Sequence, residues 1–233
     1  ITFSMNAQMD DNSANNNNAI GTSAVAMGDN TTASGNYSTA MGRNTTASGI
    51  VSTAMGGTTT ASGDYSTAMG YSTTASGYRS TAMGQSTTAS GTRSTAMGHS
   101  TTASGARSTA MGRNTTASDY ASTVIGQYNS SGSSVTNNAT SFNTANTAFV
   151  IGNGTNSSNK SDAFKVMFNG DTTVSNDLTV SGDVVISSDA RLKSNIVSLG
   201  STLPKLLQID GKSYEMKGKQ KIGVLAQEIK EVF

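Results

Sequence analysis

The sequence predicts an all-β chain whose main body is a parallel β-roll of 14-residue coils. Three observations carry this. Met-Gly recurs at Met27-Gly28, Met41-Gly42, Met55-Gly56, Met69-Gly70, Met83-Gly84, Met97-Gly98 and Met111-Gly112, and Ile125-Gly126 continues the series, so a period of 14 runs through eight copies without a slip. Fixed self-similarity of this kind marks a repeat architecture. The period also halves. Thr39-Ala40-Met41-Gly42-Arg43-Asn44-Thr45 is followed by Thr46-Ala47-Ser48-Gly49-Ile50-Val51-Ser52, and both read Thr-Ala-(Met or Ser)-Gly-x-x-(Ser or Thr). Finally, 233 residues that are 34% hydrophobic and 12% charged cannot fill a core with Leu, Ile and Phe. Seven of the 11 Met and 15 of the 25 Gly fall between Met27 and Gly126, so the odd composition is the repeat itself.

The chain opens with an irregular stretch, 1–18, in which Asn15 to Asn18 mark one end of the repeat. It has no initiator Met and no signal peptide, so it is expected to be a piece of a longer protein. Residues 19–128 form the roll. Seven residues suit a short strand plus a turn, so each coil has two strands and two turns. Glycine is expected to supply the turn conformations. A helix is disfavoured, because two Gly per coil cost about 1 kcal/mol each. Side chains alternate across a strand. Ala40 with Gly42, and Ala47 with Gly49, form the small face placed inside the coil. Thr39 with Met41, and Thr46 with Ser48, face outward.

The outward Met face is too apolar to leave in water over seven coils. Val25 and Ile125 share it. Burial against identical chains follows, which makes Met27, Met41, Met55, Met69, Met83, Met97, Met111 and Ile125 the expected subunit interface of a closed oligomer. A soft-metal cluster is the competing reading of the column; it needs convergent ligands that one straight column does not provide. The turns hold the variation. One carries Asp29, Arg43, Gly57, Tyr71, Gln85, His99 and Arg113; the other carries Tyr37, Val51, Tyr65, Arg79, Arg93 and Arg107. Arg79, Arg93 and Arg107 stack as like charges, which is unfavourable unless they are solvated or meet anions. The row is either a solubility stripe or a contact for an anionic glycan or lipopolysaccharide, with Tyr65, Tyr71 and Tyr78 as stacking platforms.

Asp119 stands where Gly105 and its predecessors stood, and Val124-Ile125 replace Ala-Met. A Ser/Asn-rich linker is expected over 129–147. Residues 148–187 then read as a β-hairpin shaft or prism: Ala163 to Phe168, a turn at Asn169-Gly170, Thr172 to Val174, and a second hairpin around Ser181-Gly182. Val150-Ile151-Gly152-Asn153-Gly154 is Gly-rich but lacks phosphate-loop spacing.

Charge rises near Ser188. Residues 189–233 hold 13 of the 29 charged side chains, net +3, against net −2 before them. A small α+β segment is expected there: a short helix within 199–208, strands over 212–216 and 221–224, and a helix over 226–232.

Two families are visible in these motifs. Ala-Met-Gly-x-x-(Ser/Thr)-x-Ala-x-Gly at period 14 resembles the YadA-like head of trimeric autotransporter adhesins. That resemblance implies a left-handed parallel β-roll in a homotrimer. Ser188-Asp189-x-Arg191-Leu192-Lys193-x-Asn195-Ile196, followed by Ile222-Gly223-Val224-Leu225-Ala226-Gln227-Glu228 and Val232-Phe233, resembles the intramolecular chaperone of endosialidase-type phage tail spikes and fibres. The family continues into further helices past the point where this sequence stops, so the segment is expected to be truncated. The resemblance implies trimerisation and cleavage of the Ser187–Ser188 bond. Ser188 would be the nucleophile and Lys193 its base, with Asp189, Arg191 and Asn195 orienting the peptide. A serine hydroxyl needs such a base, and a lysine can serve if burial lowers its pKa. On the residues alone, Ser188-Asp189 could equally be a turn.

The expected function is that of a trimeric fibrous attachment protein, resembling a phage tail fibre, that binds a cell-surface glycan or protein receptor. The alternatives are a bacterial trimeric surface adhesin and, remotely, an ice-binding solenoid presenting its Thr46-x-Ser48 ladder. Expected partners are two identical chains and the receptor, with no nucleic acid, no membrane insertion by this chain, no metal and no cofactor. The expected location is extracellular, on a virion tail fibre or a bacterial surface. No activity on an outside substrate is expected; without Cys there is no disulfide.

Overall fold

A computed structural model describes residues 17–181, 203–216 and 219–224. It divides into two units, 1–179 and 180–233.

The first unit is a β-solenoid in which a short and a long strand alternate. The short strands are β1 (Asn18–Ala19), β3 (Thr32–Ala33), β5 (Thr46–Ala47), β7 (Thr60–Ala61), β9 (Thr74–Ala75), β11 (Thr88–Ala89), β13 (Thr102–Ala103) and β15 (Thr116–Ala117). The long strands are β2 (Val25–Asp29), β4 (Thr39–Arg43), β6 (Thr53–Gly57), β8 (Thr67–Tyr71), β10 (Thr81–Gln85), β12 (Thr95–His99), β14 (Thr109–Arg113) and β16 (Thr123–Gln127). Each set makes its own parallel sheet, and equivalent residues pair 14 apart, Ala40 with Ala54 and Ala47 with Ala61. The two sheets face each other across a layer of Ala, Ser and Thr side chains, with Val124 in the last long strand.

Every inward Ala from Ala24 to Ala117 is fully buried. The Ser/Thr that precedes each strand is buried as well: Thr45 and Ser52 are 0% exposed. Strand alternation alone does not place these hydroxyls inside. Alternation predicts Gly42 inside, beside Ala40; in the structure Gly42 is exposed.

The reason lies in what glycine does here. Left-handed backbone is adopted every seventh residue by non-glycine positions, Ser23, Asn30, Tyr37, Asn44, Val51, Thr58 and onward to Tyr128, with φ between 43° and 60°. Glycine therefore does not supply these turns. What holds Val51 in a conformation that L-residues avoid is the ladder between coils: its N–H donates to the Asn36 carbonyl at 2.8 Å, as the Tyr65 N–H does to Ile50 at 2.7 Å. Glycine is required by proximity. A Cβ on Gly49, whose φ is ordinary, would lie 2.1 Å from the carbonyl oxygen of Gly63 in the next coil. Gly42 has the same neighbour problem, 2.0 Å from the Gly56 oxygen, together with a φ of +119°.

Both ends of the short sheet are closed by asparagine side chains that imitate a missing rung. At the start, Asn17 Oδ1 accepts from the Thr31 N–H at 3.2 Å and the Thr31 hydroxyl at 2.8 Å. At the far end, Asn129 Oδ1 accepts from the Thr116 N–H at 2.8 Å while its Nδ2 donates to the Thr116 carbonyl at 2.9 Å. Terminal repeats that differ from the rest in this way are how solenoids stop.

The long sheet goes on. Strand β17 (Thr147–Asn153) lies parallel to β16, with Val150, Ile151 and Gly152 beside Val124, Ile125 and Gly126. It is a further rung, 26 positions on instead of 14. Strands β18 (Asp162–Met167) and β19 (Thr172–Val174) then add antiparallel, closing the hairpin expected at Asn169-Gly170. The hairpin thus extends the sheet of the roll. The second expected hairpin falls mostly outside the described residues, and Leu178 to Val180, which are described, form no strand.

The stretch 129–146 packs on the end of the roll. Its organiser is Asp119, fully buried, whose Oδ1 accepts from the Thr136 N–H at 2.6 Å and Oδ2 from the Thr147 N–H at 2.8 Å. A side chain is tolerated there because no further short strand stacks above it.

In the second unit, α1 (Leu203–Leu206) is one helical turn, and β20 (Lys212–Met216) pairs antiparallel with β21 (Lys219–Gly223). Lys212 donates to Asp210 at 2.8 Å and holds that carboxyl below its usual range. The helix expected over 226–232 lies outside the described residues.

Candidate functional site

Two surfaces of the roll carry the residues singled out from the sequence. The first is the outer face of the long sheet. Met27 to Met111 pair in one unbroken column, Met41 beside Met55, Met69 beside Met83 and Met83 beside Met97. Each is only half-buried. The 14-residue period ends this column at Ile125. The structure continues it through Ile151, which pairs with Ile125, and Phe164, which pairs with Ile151. Val174 pairs with Phe164, and Phe149 joins the same face with its ring 6.1 Å from that of Phe164. The clue was present: Val150-Ile151-Gly152 repeats Val124-Ile125-Gly126, but off the 14-residue period.

The second surface is the turn that follows each Ser-Gly. Its left-handed residues form the column Tyr37, Val51, Tyr65, Arg79, Arg93 and Arg107. The rings and guanidinium groups interleave. Tyr65 and Tyr78 meet edge to face with centroids 5.8 Å apart. The Arg79 Cζ lies 4.9 Å from the Tyr78 ring and 5.4 Å from the Tyr65 ring, and the Arg93 Cζ lies 5.9 Å from Tyr78. Such contacts contribute about 0.5–1 kcal/mol each at exposed sites and relieve the like-charge row. Tyr65 stays 49% exposed and Tyr78 38%, so the cluster offers both π faces and cations to solvent.

One residue does not join. Tyr71 stands on the opposite turn, in register with Gly57 and Gln85. It covers Gly57, where a Cβ would lie 3.1 Å from the Tyr71 ring. The grouping of Tyr71 with Tyr65 and Tyr78 is therefore corrected. Tyr120, which the sequence reading passed over, belongs with the arginines: Arg107 hydrogen-bonds its hydroxyl and lies 5.2 Å from its ring centre. Its signal was position, three coils on from Tyr78.

Ser188, Asp189, Arg191, Lys193 and Asn195 lie outside the described residues. Among the described residues, no helix is long and apolar enough to cross a membrane.

Residues 19–45, 47–73, 75–101 and 103–129 each match the family model of the YadA head domain repeat, two copies to a match. Residues 188–233 match the chaperone of endosialidase. No curated protein matches the chain.

Proposed function

We propose that a chain joining YadA head repeats to a chaperone-of-endosialidase segment works as the homotrimeric shaft and receptor-binding part of a fibre, of the phage tail-fibre kind, outside the cell. The observation that carries this reading is the half-buried Met column. A flexible apolar ribbon running the length of a rod is poorly suited to water and well suited to packing against copies of itself, because methionine adapts to irregular gaps. Both matched families are homotrimeric, which supports a count of three.

Receptor contact falls to the exposed turns. Tyr65, Tyr78, Arg79 and Arg93 combine stacking faces with cations, a chemistry suited to anionic glycans. The C-terminal segment assists trimer assembly and cuts the chain once, before Ser188, with Ser188 as nucleophile and Lys193 as base. That step processes the fibre and turns over no outside substrate. The chaperone segment favours a fibre over a cell-anchored adhesin, since such segments serve tail spikes and fibres.

The test is a pair of charges on the column. Met69→Glu with Met83→Glu should convert the oligomer to single chains and abolish binding to receptor-bearing cells. Unchanged mass with both charges in place would remove the Met face from the interface.

A further inference from the structure

The long sheet outruns the short one, and the overhang builds a groove. Among the described residues, no short strand beyond β15 faces β17, β18 and β19, and the chain from 130 onward closes only part of the gap. Two openings of about 310 and 330 Å³ share Ser130, Ser131 and Lys165. A third, of about 170 Å³, adjoins the first of them through Lys160 and is edged by Tyr128. The two larger volumes suit a sugar-sized ligand.

The groove opens away from the Met face. Along β18, Phe164 pairs with Ile151 and faces outward, whereas Lys165 pairs with the buried Val150 and faces the inner side. Packing of chains along the Met column therefore leaves the groove open.

Its charge is unbalanced. The one carboxylate in the lining, Asp162, is engaged at both oxygens, accepting from the Ser130 and Ser131 N–H groups at 2.8 Å each. It shapes the groove wall. Lys160 and Lys165 have no ion-pair partner among the described residues. Thr173, Ser175 and a Ser161 hydroxyl that donates to the Asn153 amide oxygen at 2.7 Å also line the first opening.

We propose that this groove is a second ligand site, separate from the tyrosine–arginine turns, that takes a carboxylate-bearing oligosaccharide. The two ammonium groups meet sugar carboxylates, charge-assisted contacts stronger than neutral ones. The Ser, Thr and Asn groups meet sugar hydroxyls, and the run of three openings accepts successive units of a chain. The assignment rests on the reading of this protein as an attachment fibre.

Titration calorimetry of the full chain with tetragalacturonate, alginate tetramer and neutral galactotetraose tests it. At least one acidic tetramer should bind, with galactotetraose at least tenfold weaker. Lys160→Gln and Lys165→Gln should each weaken the acidic ligand about tenfold with an unchanged melting temperature. Arg79→Ser with Arg93→Ser should leave groove binding intact, so a failure of the turns and a failure of the groove are told apart. No binding by either acidic tetramer, equal binding of the neutral one, or acidic binding that survives both lysine substitutions overturns the proposal.

Discussion

Thr73 lies in the middle of the roll, 0% exposed, and its hydroxyl has no hydrogen-bond partner. The same holds for eleven further Ser and Thr residues between Ser38 and Thr115. A buried polar atom left unsatisfied costs about 1–3 kcal/mol, whereas an apolar group of the same shape carries no such penalty. Thr73→Val keeps the β-branched outline and removes only the orphaned oxygen. Stability should rise by at least about 1 kcal/mol, a melting shift of about 2–4 °C for a chain of this size. Denaturant titration reads it as a higher midpoint at constant slope. Thr74→Val on the outward face, which relieves nothing buried, should stay within about 0.5 kcal/mol of the parent. A loss of 1 kcal/mol or more at Thr73 would refute the reasoning, because it would mean that the hydroxyl is bonded inside the coil.

The remaining predictions follow from the same geometry. Gly77→Ala puts a Cβ 2.1 Å from the Gly91 carbonyl oxygen and should cost more than about 4 kcal/mol, read as loss of a cooperative unfolding transition. Asp119→Ala, at the equivalent place with no rung above it, should cost about 3 kcal/mol through two lost backbone contacts, and should expose 130–146 to limited proteolysis. Val51→Asn places a residue tolerant of left-handed backbone at φ 55° and should raise stability by about 0.5–1 kcal/mol, read as a higher denaturant midpoint at constant slope. In a chain that processes itself, mass spectrometry should find a fragment beginning at Ser188 that Ser188→Ala abolishes; its persistence in that variant rules out the Ser188–Lys193 pair.

Much of the roll was legible because period and chemistry agree at every coil. Ala47 is inside and Met41 outside, as strand alternation dictates. What alternation cannot express is distance between coils. Gly49 and Gly42 look alike in sequence; both are forced by the carbonyl one rung on, yet only Gly42 also needs its backbone angle. Nor does periodicity survive an insertion, which is why Ile151 was not joined to the Met column. Asp119 was visible as a departure, but its two backbone partners lie 17 and 28 positions away, beyond any local pattern. The tyrosine–arginine cluster was half legible. Column position grouped Arg79 with Arg93 and put Tyr71 on the other turn, whereas the placing of Arg79 against both the Tyr65 and Tyr78 rings is visible only in three dimensions.

The Met column as a subunit interface is the claim on which shaft, assembly and receptor display all depend. Sedimentation equilibrium of the intact chain tests it most directly. A Met-lined trimer should run as a single species at three times 23.7 kDa that persists on dilution. A single species at 23.7 kDa with the roll intact by circular dichroism would contradict it.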